Sequence, residues 1–114
     1  MNERDETRLH DMLDAAIKAR EFAAGKTRAM LDTDELLAFA LVRALEIVGE
    51  AASRVSQDTR SRHPQIRWKE IVGMRNKIIH DYLSVDYEIV WDVVTNDLPD
   101  LIRELETIVP PESN

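Results

Sequence analysis

The sequence predicts an all-α protein, an antiparallel bundle of four to five helices, and three observations predict it. Apolar residues recur every three to four positions along most of the chain, which is the period of a helix. Only three Gly and four Pro occur in 114 residues, so few points interrupt a helix. The clusters of β-branched and aromatic residues that mark strands are few, and no sheet is expected. The length fits one domain, residues 1–110, followed by a frayed tail, 111–114.

The elements follow in order. From Asp5 to Ala23, residues Leu9, Met12, Leu13, Ala16, Ile17 and Ala19 form one apolar stripe, and the helix should end near Gly25. KTRAMLDT then reads as a connector with room for one helical turn. Asp32 or Thr33 should cap a second helix running to about Val55. Its apolar positions, Leu36 among them, cover more than one stripe, so it should be the central, most buried helix. Residues 57–66 read as a polar loop, with Pro64 barring continuation. A third helix should start near Arg67, carry Trp68, Ile71, Val72, Met74, Ile78 and Ile79, and end between Asp81 and Leu83. Ser84 or Asp86 should cap a fourth, which Pro99 either kinks or restarts, with Asn96 or Asp97 as the new cap.

Composition narrows the function classes. With no Cys there is neither a disulfide framework nor a thiolate metal site. The three His and the scattered carboxylates have no ligand spacing, so no metal is expected. The charged start is unlike a signal peptide, and the longest apolar run, LLAFALV, is far short of a membrane span, so a cytoplasmic location is expected. Net charge is −7, but it is unevenly spread. Arg54 to Lys77 holds seven basic residues and two acidic ones, whereas Ile78 to the end holds nine acidic and one basic. A basic strip on an acidic body can bind phosphate while the overall field limits indiscriminate binding. The plain alternative is a set of solvated helix faces.

That strip runs into RNKIIHDY, residues 75–82. On a continuous helix Asn76 and His80, four apart, share a face, and the amide could fix the imidazole tautomer. Arg75 and His80 lie about 140° apart and roughly 7.5 Å along the axis, so a dimer is the tidier way to bring an Arg to a His. Such a set suits RNA cleavage. A His can take the 2′-hydroxyl proton or protonate the leaving oxygen, and an Arg fork stabilises phosphate charge. Asp81 and the helix end should favour a protonated His80, which Arg75 opposes. A His beside an Asp at a helix end can equally be a capping or surface residue, and Trp68 and Trp91 read as core anchors.

The same residues resemble a known family. Arg75 and His80 form R-x4-H, the motif of HEPN-domain ribonucleases, extended by Tyr82 to R-x4-H-x-Y. RALEIVGEAASRVS, WKEIVGMRNKIIHDY and VDYEIVWDVVTNDLPDLI are similar to the HepT-like toxins, over most of the chain. The resemblance implies a HEPN-like homodimeric helical ribonuclease, the toxin of a toxin–antitoxin pair. It implies catalysis by Arg75 and His80 at the dimer cleft, with Asn76 as a polar neighbour. It further implies an MntA-like nucleotidyltransferase antitoxin that transfers AMP from ATP to Tyr82. The toxin then needs no cofactor, ATP and Mg belonging to its partner. Where relatives often carry Pro before the Trp this chain has Arg67, which with Lys69 and Lys77 is a candidate RNA-phosphate contact. The competing class is a non-catalytic subunit that docks a nucleotidyltransferase or holds a nucleotide.

Overall fold

The computed structural model describes residues 1–81 and 84–109, with the side chain of Asp81 left aside. The tail expected at 111–114 lies outside the described residues. α1 (Glu3–Ala23) starts at Asn2, whose side chain accepts the Asp5 amide at 2.8 Å, and three carboxylates in its first turn complement the helix dipole. It buries Leu9, Met12, Ala16 and Ala19. The chain reverses at Gly25, whose φ of 74° an L side chain resists. A 3₁₀ turn (Arg28–Asp32) occupies the connector.

α2 (Glu35–Ser53) is capped by Asp34 rather than by Asp32 or Thr33, its carboxylate accepting the Leu37 amide at 3.1 Å. Leu41, Leu45, Val48 and Ala52 are fully buried. One side of α2 is bare, however: Leu36 is 83% exposed. α2 is the most buried helix, as expected, and the exposure of its first apolar residue is the exception.

Residues 57–66 are not a loop throughout. Ser56 caps a short helix, α3 (Gln57–Arg62), and the reason lies 51 residues away. The buried Asp5 carboxylate accepts the Ser56 amide at 2.9 Å and the hydroxyls of Ser56 and Thr59, each at 2.5 Å. Arg60 of α3 turns back and donates to the carbonyls of Ala52, Ser53 and Val55, closing the C-terminal end of α2. Pro64 ends the segment as expected, and Trp68 is a core anchor whose indole N–H donates to the His63 carbonyl at 3.0 Å.

The third helix departs most from the sequence reading. It is two short helices, α4 (Trp68–Val72) and α5 (Met74–Ile78), separated by Gly73. Beyond Ile78 the backbone is extended. β1 (Ile79–Asp81) pairs antiparallel with β2 (Ser84–Val85), and the Asp86 amide donates to the Ile78 carbonyl at 2.8 Å. β-branched Ile78 and Ile79 hold a helix weakly, and a strand partner three residues on takes over their backbone groups. α4 lies against α2 at Gly49, where a Cβ would sit 3.1 Å from the Ile71 carbonyl. Gly49→Val is expected to force the two apart and cost about 2 kcal/mol. Urea denaturation checks it: the midpoint falls with the slope unchanged.

The last helical unit begins at Asp86, whose side chain accepts the Ile89 amide at 3.1 Å. α6 (Tyr87–Asp92) passes through a π turn (Val93–Asp97) into α7 (Leu98–Ile108) without a side-chain cap from Asp97. The wide turn carries the chain past Pro99, which has no amide to give, so the unit neither stops nor restarts. Arg28 ties the connector to α6. It donates to Asp32 at 3.1 Å, stacks over Tyr87 at 5.9 Å, and its Nε lies 2.6 Å from Glu88 Oε1 as an ion pair without hydrogen-bond alignment. Among the described residues the fold is thus all-α, with five helical units and one small β pair. Among the described residues no helix is long and apolar enough to cross a membrane.

Candidate functional site

Arg75 stands on α5 with its side chain 63% exposed. Its Nε donates to Glu46 Oε2 of α2 at 3.3 Å. An ion pair this open adds little stability, so its effect is on orientation. It engages the guanidinium through Nε, and the terminal nitrogens make no hydrogen bond or ion pair among the described residues, which leaves them available to an anion. Met74 and Ile78, the buried residues of α5, fix the helix to the core.

His80 is not on that helix. It lies on β1, one residue past the extended Ile79, so Asn76 and His80 do not share a helical face, and the expected i, i+4 contact is corrected. No hydrogen bond among the described residues joins Arg75, Asn76 and His80. The helix end expected beside His80 lies two residues earlier, at Ile78. The carboxylate that His80 faces is Asp86, with Nε2 3.9 Å from Oδ2, an ion pair only when the imidazole is protonated. Asp86 therefore has two tasks, capping α6 and presenting its second oxygen to His80. The His80 side chain is 57% exposed, open to a substrate. The side chain of Asp81 and all of Tyr82, the expected AMP acceptor, lie outside the described residues.

The basic strip divides in two. Arg54 and Arg62 pair with Glu50 and Asp58 on their own helices, Arg75 pairs with Glu46, and Arg60 is turned inward. Arg67, Lys69 and Lys77 are exposed and make no ion pair among the described residues. They do not share one surface. Arg67 and Lys77 edge a groove of about 410 Å³ between α4–α5 and α7, whereas Lys69 borders a shallow recess beside Trp68. The groove also carries Glu70, Asp97, Asp100 and Glu104. With Arg103 also in its lining, its carboxylates outnumber its cations by one, and it meets the Arg75–His80 segment only through Lys77. Among the described residues no three His, Asp or Glu converge in a way that could hold a metal ion.

Residues 12–108 match the family model described as Ribonuclease HepT-like. This chain belongs to the HepT-like family. A Methanocaldococcus jannaschii relative named "Putative RNase MJ1380" is 36% identical over 88% of this chain and 92% of its own. "Probable ribonuclease HepT" of Thermococcus cleftensis is also 36% identical, over 88% of this chain and 91% of its own. "Putative RNase TTE0752" of Caldanaerobacter subterraneus is 40% identical over 69% and 70% of the two chains. No solved structure matches this HepT-like chain.

Sequence reasoning missed Glu46 and the second task of Asp86. Glu46 is 29 residues from Arg75, and nothing local marks it as a partner. Asp86 carried a local signal, its place before an apolar helical run, and was named only as a cap.

Proposed function

We propose that this HepT-like chain is a metal-independent endoribonuclease, the toxin of a toxin–antitoxin pair, acting as a homodimer with Arg75 and His80 of both chains in a shared cleft. The observation that carries the reading is the R-x4-H pair itself. Both side chains are more than half exposed, and each faces a carboxylate from another element, Glu46 for Arg75 and Asp86 for His80. The names of the relatives point to the same substrate.

One His80 removes the proton of a ribose 2′-hydroxyl, and the 2′-oxygen bonds to the adjacent phosphorus as the bond to the 5′-oxygen breaks. The partner's His80 gives that leaving oxygen a proton, and Arg75 donates to the phosphate oxygens as charge builds. The products are a 2′,3′-cyclic phosphate and a free 5′-hydroxyl. Asn76 is a polar neighbour that contacts the substrate rather than His80. Arg67, Lys69 and Lys77 attract the flanking backbone.

Silencing follows the same chemistry. An MntA-like nucleotidyltransferase joins the Tyr82 oxygen to the α-phosphorus of ATP and releases pyrophosphate. The added AMP brings bulk and negative charge within two residues of His80, where an RNA phosphate must sit. Unmodified protein is expected to cut RNA equally well with and without EDTA and to leave cyclic phosphate ends. Tyr82→Phe is expected to cut like the wild type and to stay active after treatment with the nucleotidyltransferase and ATP. Strict dependence on added metal, or silencing of Tyr82→Phe, would contradict the proposal.

A further inference from the structure

We infer that Asp86 is the positioning residue for His80, a role that rests on the nuclease reading: it holds the imidazole by Nε2, so Nδ1 is the nitrogen that exchanges protons with RNA. The juxtaposition is Nε2 of His80 3.9 Å from Oδ2 of Asp86. Asp86 is the better fixed of the two. Its amide donates to the Ile78 carbonyl at 2.8 Å, and its carbonyl accepts the Val90 amide at 3.0 Å. Its Oδ1 accepts the Ile89 amide at 3.1 Å, so capping occupies one carboxylate oxygen and leaves Oδ2 for His80. Ile79 pairs with Val85 and fixes the segment that carries His80. The imidazole is 57% exposed and has room to turn, and a shift of about 1 Å closes the gap to a hydrogen bond. Contacts of this kind commonly tighten when substrate arrives.

One acceptor opposite Nε2 decides the chemistry of the ring. A neutral imidazole carries a proton on one nitrogen and a lone pair on the other. An ionised carboxylate has only acceptors, so it takes Nε2–H and leaves the lone pair on Nδ1. In the His80 that acts as base, Nδ1 takes the 2′-hydroxyl proton while Nε2–H stays on Asp86, whose charge balances the imidazolium formed. In the His80 that acts as acid, both nitrogens begin protonated. Nδ1–H gives its proton to the leaving 5′-oxygen, and Nε2–H again stays. One carboxylate therefore serves both halves of the reaction without itself being protonated.

The cap makes the test specific. In Asp86→Asn the side-chain oxygen stays on the Ile89 amide, so the NH₂ group stands where Oδ2 stood. It donates where the carboxylate accepted, which leaves the lone pair on Nε2 and the proton on Nδ1, the wrong tautomer for a base. Asn caps a helix as well as Asp does, so the fold should hold. Asp86→Ser also keeps a cap, but it is too short to reach His80 as well, and the ring is then left free rather than wrongly set. A structural role alone would make the isosteric Asn the milder change. Control of the tautomer reverses that order.

Cleavage of a labelled RNA, with long-range proton–nitrogen NMR of the isotope-labelled protein at alkaline pH, is the experiment. His80 is assigned among the three His by the signal absent from His80→Ala. Neutral His80 is expected to carry its proton on Nε2 in the wild type and on Nδ1 in Asp86→Asn. The kcat of Asp86→Asn should fall at least about 100-fold with KM nearly unchanged, and further than that of Asp86→Ser, while the helical circular-dichroism spectrum is retained. Wild-type His80 protonated at Nδ1, or an Asp86→Asn that cuts RNA as well as Asp86→Ser, overturns the role of Asp86 and leaves the nuclease reading standing. The wild-type tautomer needs no variant, so it can overturn that role even where Asp86→Asn does not fold. A wild type that cuts no RNA overturns the nuclease reading and the role of Asp86 with it.

Discussion

His80→Ala is expected to lower RNA cleavage at least about 100-fold, and Arg75→Ala by a similar factor. The first figure is what a positioned general acid or base commonly contributes, and the second is what one donor to a developing charge contributes. Neither loss should come from unfolding, because the His80 and Arg75 side chains are 57% and 63% exposed and outside the core. Arg75→Lys should recover only part of the activity. It keeps the charge, but one ammonium cannot both hold Glu46 and present a fork to phosphate. The double variant should be little worse than either single one, since both residues serve one step. Single-turnover cleavage of a labelled RNA, with circular dichroism of each variant, is the measurement. Cleavage that survives both single substitutions in folded protein would sink the nuclease reading.

The largest expected effect on stability lies far from the motif, at Asp5. Its carboxylate is 3% exposed and accepts three hydrogen bonds from the segment that starts α3. Asp5→Ala strands the amide and hydroxyl of half-buried Ser56 and the buried Thr59 hydroxyl, and a loss of about 3 kcal/mol is expected. Asp5→Asn should cost less, since one oxygen still accepts. Burial alone would raise the Asp5 pKa, but the hydrogen bonds from Ser56 and Thr59, with the N-terminal charge, outweigh it and hold the group below its ordinary range. A carboxylate depressed in the folded state stabilises fully above its unfolded pKa of about 3.9, and that contribution is lost as pH falls through the folded value. Urea denaturation from pH 7 down to pH 3 checks it. The difference between wild type and Asp5→Asn should be constant at neutral pH and shrink below about pH 4. A constant difference across the whole range would mean that the charge of Asp5 contributes nothing.

Much of the fold was legible because it rests on local periodicity. The Leu9–Ala19 stripe predicts α1, and the run from Leu37 to Ala52 predicts α2. The α3 segment was illegible for the opposite reason. QDTRSR has no apolar face, and its helix exists because Asp5 organises Ser56 and Thr59 from across the chain. The break at Ile78 was partly legible in two consecutive β-branched residues, yet the helical spacing of Met74 and Ile78 concealed it. Leu36 was misplaced because periodicity reports which residues are apolar and not whether a neighbour covers them.

By itself the sequence determined the helical class, the order of the main helices, the family, and the pairing of Arg75 with His80 in one short motif. These depend on residue type and on spacings of a few positions. Only the tertiary structure decided that His80 stands on a strand facing Asp86, that Arg75 is steadied by Glu46, and that one side of α2 is left bare. Each of these is a contact, or a missing contact, between elements that local spacing does not connect. They are fixed by how whole helices pack, and a local pattern carries no record of that.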